Sequence, residues 1–110
     1  MKENSKIQDE DSVLLLERTK KKVKKPGKYA VVLLNDDYTP RDFVVWILQT
    51  VFYKSTSESN RIMLEAHTTG KAYCGVFSLD LAKTMVKEVR SLADENDYPL
   101  ECRIEATQEE

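Results

Sequence analysis

The chain has 110 residues and a mass of 12.7 kDa, the size of one domain, and its 41% hydrophobic and 33% charged residues mark it as globular rather than disordered. No apolar run approaches the ~20 residues that span a bilayer, the polar stretch Met1 to Glu10 offers no secretory signal, and Cys74 and Cys102 match neither a zinc spacing nor a disulfide framework, so a reducing cytoplasm is the expected compartment. The net charge of -2 divides into +4 over residues 1–28 and -6 over residues 29–110, which excludes an all-round basic nucleic-acid binder and leaves a basic arm on an acidic body.

Residues 1–27 read as a flexible basic extension and residues 28–110 as the folded domain. The extension has no aromatic residue, and the five lysines between Lys20 and Lys25 repel one another. Pro26-Gly27 punctuates its end. Its one apolar patch, Val13-Leu-Leu-Leu16, suits either a helical turn on a partner or unspecific contact.

Tyr29-Ala-Val-Val-Leu-Leu34 is a continuous apolar run rich in β-branched residues and predicts a strand buried on both faces. Asn35-Asp-Asp37 breaks it with side chains that bond their own backbone. Thr39 is the predicted N-cap of a first helix, with Pro40 at its first position and Asp42 at N3. Phe43, Val44, Ile47, Leu48, Val51 and Phe52 follow at helical spacing. Ser55-Thr-Ser-Glu58 matches a capping box for a second helix, Ile62, Met63 and Ala66 give that helix an apolar stripe, and Gly70 stops it.

Lys71 to Phe77 alternates small with large residues and predicts a second strand. Ser78 caps a third helix whose Leu81, Ala82, Met85, Val86, Val89, Leu92 and Ala93 are spaced for one buried face; Asn96-Asp-Tyr-Pro99 ends it. Leu100, Cys102, Ile104 and Ala106 alternate with charged residues, the pattern of a half-buried strand. The resulting order, β-α-α-β-α-β after an extension, predicts an α+β fold: a small sheet with three helices packed on one face.

Two places could carry chemistry. The junction Asn35-Asp-Asp-Tyr-Thr-Pro40 is either turn and capping chemistry or a cation site, in which Asn35 and Asp36 aim their oxygens at one ammonium group. His67, the sole histidine, is either a helix-end residue favoured by the macrodipole or a neutral imidazole accepting a hydrogen bond from an amine. A metal site would need further ligands. A Cys74–His67 nucleophile pair is conceivable, but Cys74 reads as a small buried hydrophobe, and catalysis is not expected.

Leu34-Asn-Asp-Asp-Tyr-Thr-Pro40, Met63-Leu-Glu-Ala-His67, Gly70-Lys-Ala72 and Cys74-Gly-Val-Phe77 together resemble the ClpS adaptor family. The resemblance covers residues 28–106 and is specific in its ordered combination. It implies a three-stranded antiparallel sheet with three helices, no enzymatic activity, no metal and no cofactor. It implies an adaptor, monomeric and cytoplasmic, that binds proteins with a bulky hydrophobic N-terminal residue (Leu, Phe, Tyr or Trp). These N-degron substrates go to a Clp-family AAA+ unfoldase, ClpA-like, partnered with the ClpP peptidase, and neither nucleic acid nor membrane is an implied partner.

Residue by residue, the resemblance assigns Asn35, Asp36 and His67 to the substrate's α-amino group. The side-chain pocket falls to Leu33, Thr39, Arg41, Val44, Met63, Ala66 and Leu100, and the unfoldase contact to Tyr38 and Asp80. A free amine is a cation with three donors, which an internal amide cannot imitate. The chain departs from the family pattern where Arg41 replaces a gating Met, Ala66 a Val, and Met85 a Lys of the unfoldase surface, a role that Lys83 and Lys87 could take over. Arg41 and Ala66 lead to the expectation of a pocket that favours large aromatics and rejects Ile and Val less strictly. The alternative is a nucleic-acid-binding domain using the basic arm, whose affinity would be strongly salt-dependent.

Overall fold

The central strand is β1, Tyr29–Leu34, whose Ala30, Val31, Val32 and Leu33 are all buried. It owes this burial to antiparallel neighbours on both sides: β2, Lys71–Phe77, and β3, Glu101–Ala106, in the order β2-β1-β3. In the computed structural model the described residues are 27–107; the predicted basic extension up to Pro26, with its Val13–Leu16 patch, lies outside them. Three helices complete the predicted order: α1, Arg41–Thr50; α2, Thr56–Thr69; and α3, Leu79–Glu95.

Register assigns the two faces of the sheet. Val31 and Leu33 sit opposite Ile104 and Cys102 on one side and opposite Gly75 and Ala72 on the other, and this face carries the core with Ile47, Leu48, Ile62 and Val89. Burying each such side chain contributes about 1.5–3 kcal/mol. On the opposite face Glu105 reaches across β1 to Lys71 Nζ and Tyr73 Oη, both at 3.3 Å.

Helix ends follow local chemistry, with corrections at Glu58 and at both ends of α1. Ser55 Oγ accepts from the Glu58 N–H at 3.1 Å, and Ser78 Oγ from the Leu81 N–H at 3.3 Å, as the sequence predicts. Glu58 does not close the reciprocal half of its box. It pairs instead with Arg61 at 2.6 Å, and this bond holds its carboxyl below the usual range. Gly70 terminates α2 in the left-handed region at φ 99°. The N-cap of α1, however, is Pro40 and not Thr39, and it makes no side-chain cap bond. The Thr39 side chain is turned back toward Asp36, its hydroxyl donating to Oδ2 at 2.8 Å; with Pro40 as the N-cap, Asp42 stands one position nearer the helix start than predicted. At the other end, α1 stops at Thr50; Phe52 is buried from the turn that follows, where Tyr53 has φ 57°. On α3, Ala82, Met85, Val89 and Ala93 are buried, while Leu81 turns out to solvent.

Ser59 is the one buried polar side chain among the described residues, and its Oγ has no hydrogen-bond partner there. An unpaired buried hydroxyl costs about 1–3 kcal/mol. Ser59→Ala is therefore expected to stabilise the fold by about 1 kcal/mol, raising Tm by roughly 4–8 °C for a domain of this size. A lower Tm in thermal unfolding would mean that the hydroxyl is bonded.

Candidate functional site

Where β1 runs out, its last residues meet the facing ends of α1 and α2 around a cavity of about 310 Å³, near the small end of ligand sites. Leu33, Val44, Met63, Ala66 and Leu100 form its apolar floor, and each is at least nine-tenths buried. Asn35, Asp36, Asp37, Arg41 and His67 line it with polar groups.

Local bonding sets this rim. The Asn35 N–H donates to the Gly70 carbonyl at 3.0 Å, tying the end of β1 to the end of α2 and so to the helical turn that carries His67. Asp36 then folds back on its own loop. Its Oδ1 accepts the N–H groups of Tyr38 and Thr39, both at 2.7 Å, and its Oδ2 accepts the Thr39 hydroxyl at 2.8 Å. A carboxylate has about four lone-pair sites, and three are filled here. The two readings of the junction are thus not exclusive: Asp36 does turn chemistry and keeps one acceptor site.

Across the opening, Arg41 Nη2 lies 2.8 Å from His67 Nε2. A guanidinium has only donors, so in this contact Nε2 is the acceptor.

All ten residues named for the amine contact and the pocket line this one cavity, as does Tyr38. Asp80 does not; it is exposed in the first turn of α3. Met85, at the position of the family lysine, is buried in the core, whereas Lys83 and Lys87 are exposed beside a shallow cleft with Val86, Arg90 and Ile104. Sequence reasoning passed over Asp37. It is exposed, borders the cavity and has no partner among the described residues; its place in the Asn35-Asp-Asp37 run was the available signal. Cys74 and Cys102 are both free and buried. The neighbouring Cys74 thiol, which favours the protonated form of Cys102, together with burial pushes the Cys102 thiol well above its ordinary range, the opposite of what a thiolate nucleophile requires. Among the described residues no cluster of three or more His, Cys, Asp or Glu could hold a metal, and no helix is long and apolar enough to cross a membrane.

The family described as ATP-dependent Clp protease adaptor protein ClpS matches residues 24–103. The chain belongs to the ClpS family. It is 55% identical over 94 residues to the ATP-dependent Clp protease adapter protein ClpS of Leptospira biflexa, which covers 86% of this chain and 83% of that protein. It is 45% identical over 96 residues to the ClpS adapter of Brucella canis, covering 87% and 83%. Among solved structures, Agrobacterium tumefaciens ClpS2 bound to L-phenylalaninamide superposes with a TM-score of 0.74 at 42% identity, over 76% of this chain and all of that one. ClpS proteins are adaptors of the Clp protease and not enzymes, and the β-α-α-β-α-β order with its antiparallel sheet is the ClpS fold.

Proposed function

We propose that this ClpS-family chain recognises proteins by a free N-terminal amine next to a bulky hydrophobic side chain, Leu, Phe, Tyr or Trp, and delivers them to a ClpA-like AAA+ unfoldase with ClpP. The observation that carries this reading is a cavity that combines an apolar floor with an acceptor-rich rim. Its size suits one side chain. L-phenylalaninamide, the ligand of the Agrobacterium relative, consists of a free α-amine, a benzyl side chain and an amide where the peptide would continue.

In this reading the amine meets Asn35, His67 and the remaining acceptor site of Asp36, within the field of the unpaired Asp37 carboxylate. The side chain enters between Leu33, Val44, Met63, Ala66 and Leu100, with Thr39 and Arg41 at the edge. Full burial of that side chain contributes about 1.5–3 kcal/mol. Ala66 leaves room at the wall, so aromatic first residues are favoured and Ile and Val are rejected only weakly. Tyr38, 80% exposed, and Asp80 face the unfoldase, with Lys83 and Lys87 supplying positive charge beside Asp80. Residues 1–27 act as an extension delivered into the unfoldase, and residues 28–110 as the recognition domain. Action as a monomer in the cytoplasm belongs to the same proposal.

The test is fluorescence anisotropy with a Phe-initiated peptide and its N-acetylated twin. Acetylation removes the cation and leaves rim acceptors that the bound ligand covers unpaired, a loss of about 1–3 kcal/mol, so affinity is expected to fall roughly 10- to 100-fold. Equal binding of the two peptides would overturn the reading. Ile- and Val-initiated peptides in the same titration check the selectivity; strong rejection of both would remove that part of the proposal.

A further inference from the structure

Arg41 is the first residue of α1, and His67 lies in the last turn of α2. The two are 26 positions apart in sequence, yet the guanidinium sits 2.8 Å from His67 Nε2 over the cavity. An imidazole nitrogen offers one lone pair. In the unliganded protein that lone pair is taken by a cation carrying N–H donors, which is also the chemical description of an N-terminal ammonium.

We propose that Arg41 is an internal occupant of the amine subsite: its guanidinium holds the His67 acceptor until the N-terminal amine of a ligand displaces it. This rests on the amine-binding reading above. Binding becomes an exchange of one cation for another, and the open subsite is only a fraction of the population. Apparent affinity falls by that fraction. A neutral acceptor bonded to an exposed guanidinium is worth a factor of about 3 to 10, so the free-amine affinity is held down by about that much. The surroundings favour exchange over permanent closure. Arg41 is exposed, so a displaced guanidinium returns to water. The nearby carboxylates of Asp36 and Asp37 attract the incoming ammonium as well as the guanidinium.

Arg41→Met tests this, because it keeps an unbranched stem beside the pocket and removes every donor. The free-amine Phe peptide should bind the variant about 3- to 10-fold more tightly than the wild type, and the N-acetylated twin should show no gain. An equal gain for both peptides would mean a wider pocket and overturn the exchange, as would unchanged or weaker free-amine binding. A ligand-free measurement separates the two layers of the argument. His67 is the only histidine, so its imidazole 15N signals are unambiguous. The Nε2 resonance should move on Arg41→Met in the free protein, and no movement would overturn the proposal. If the wild type itself fails to distinguish the peptides, the amine-binding reading falls and takes the exchange with it, while the imidazole signal still reports the hydrogen bond. Discrimination by the wild type with no gain in the variant overturns the exchange alone.

Discussion

Asp36→Ala is expected to weaken binding of a Phe-initiated peptide by at least about 100-fold while leaving the far-UV circular dichroism and the sheet intact. The reason lies in what the carboxylate holds. Its three bonds, at 2.7, 2.7 and 2.8 Å, are all to residues 38 and 39, and they fold the polar rim of the cavity into one shape. Without them the ligand must order residues 37–39 as it binds, at about 1–2 kcal/mol per residue; about 3 kcal/mol is already more than a hundredfold in affinity. None of these bonds reaches the sheet, so the fold survives. Asp36→Asn separates shape from charge. The amide oxygen still accepts the Tyr38 and Thr39 N–H groups and the amide nitrogen can donate to the Thr39 hydroxyl, so the loop persists with its charge removed. That variant is expected to lose only about tenfold, the difference between a charge-assisted and a neutral contact. Wild-type affinity in Asp36→Ala would mean that the rim is held by something else.

Local chemistry made much of this molecule legible before any coordinates. A six-residue apolar run, rich in β-branched residues and bounded by turn formers, reads as a strand covered on both faces, and β1 lies in the middle of its sheet. Ser55, Ser78 and Gly70 act within one helical turn of themselves, so their caps could be read from neighbouring letters. The cavity was legible through a motif, because the Asn35–Pro40 junction and the Met63–His67 stretch carry the family pattern. Competition between partners was harder to read. Thr39 is a good N-cap by type, but its side chain is turned back toward a carboxylate three residues earlier, and Pro40 is left to begin the helix. The pairing of Arg41 with His67 depends on how α1 and α2 face each other, and no spacing rule encodes a contact of that kind.

Strand β2 holds the other feature that alternation alone misreads, and it leads to the largest expected change in stability. From Ala72 and Cys74 facing inward, strict alternation would send Val76 inward and Phe77 outward. The register instead slips between Val31 and Val32: Val31 opposes Gly75 and Val32 opposes Tyr73, leaving Cys74 as an extra residue. This bulge reverses the phase, so Phe77 turns in to lie 6.3 Å from the Phe52 ring and Val76 is 51% exposed. Gly75 makes the slip feasible. Its φ is 150°, and a Cβ there would stand 2.6 Å from Phe77 Cζ. Gly75→Val, a change that strand propensity alone would favour, is expected to destabilise the domain by about 3 kcal/mol or more. Backbone strain contributes about 1–3 kcal/mol and displacement of the ring a similar amount. For a domain of this size that lowers Tm by at least roughly 12 °C. Val76→Ala, one residue along on the exposed face, should stay within about 0.5 kcal/mol of wild type. In a double-mutant cycle Phe77→Ala should recover the part of the Gly75→Val loss that comes from the ring and leave the backbone part. A Gly75→Val protein as stable as wild type would show that β2 pairs with β1 without the bulge, and the inward turn of Phe77 would then need another cause.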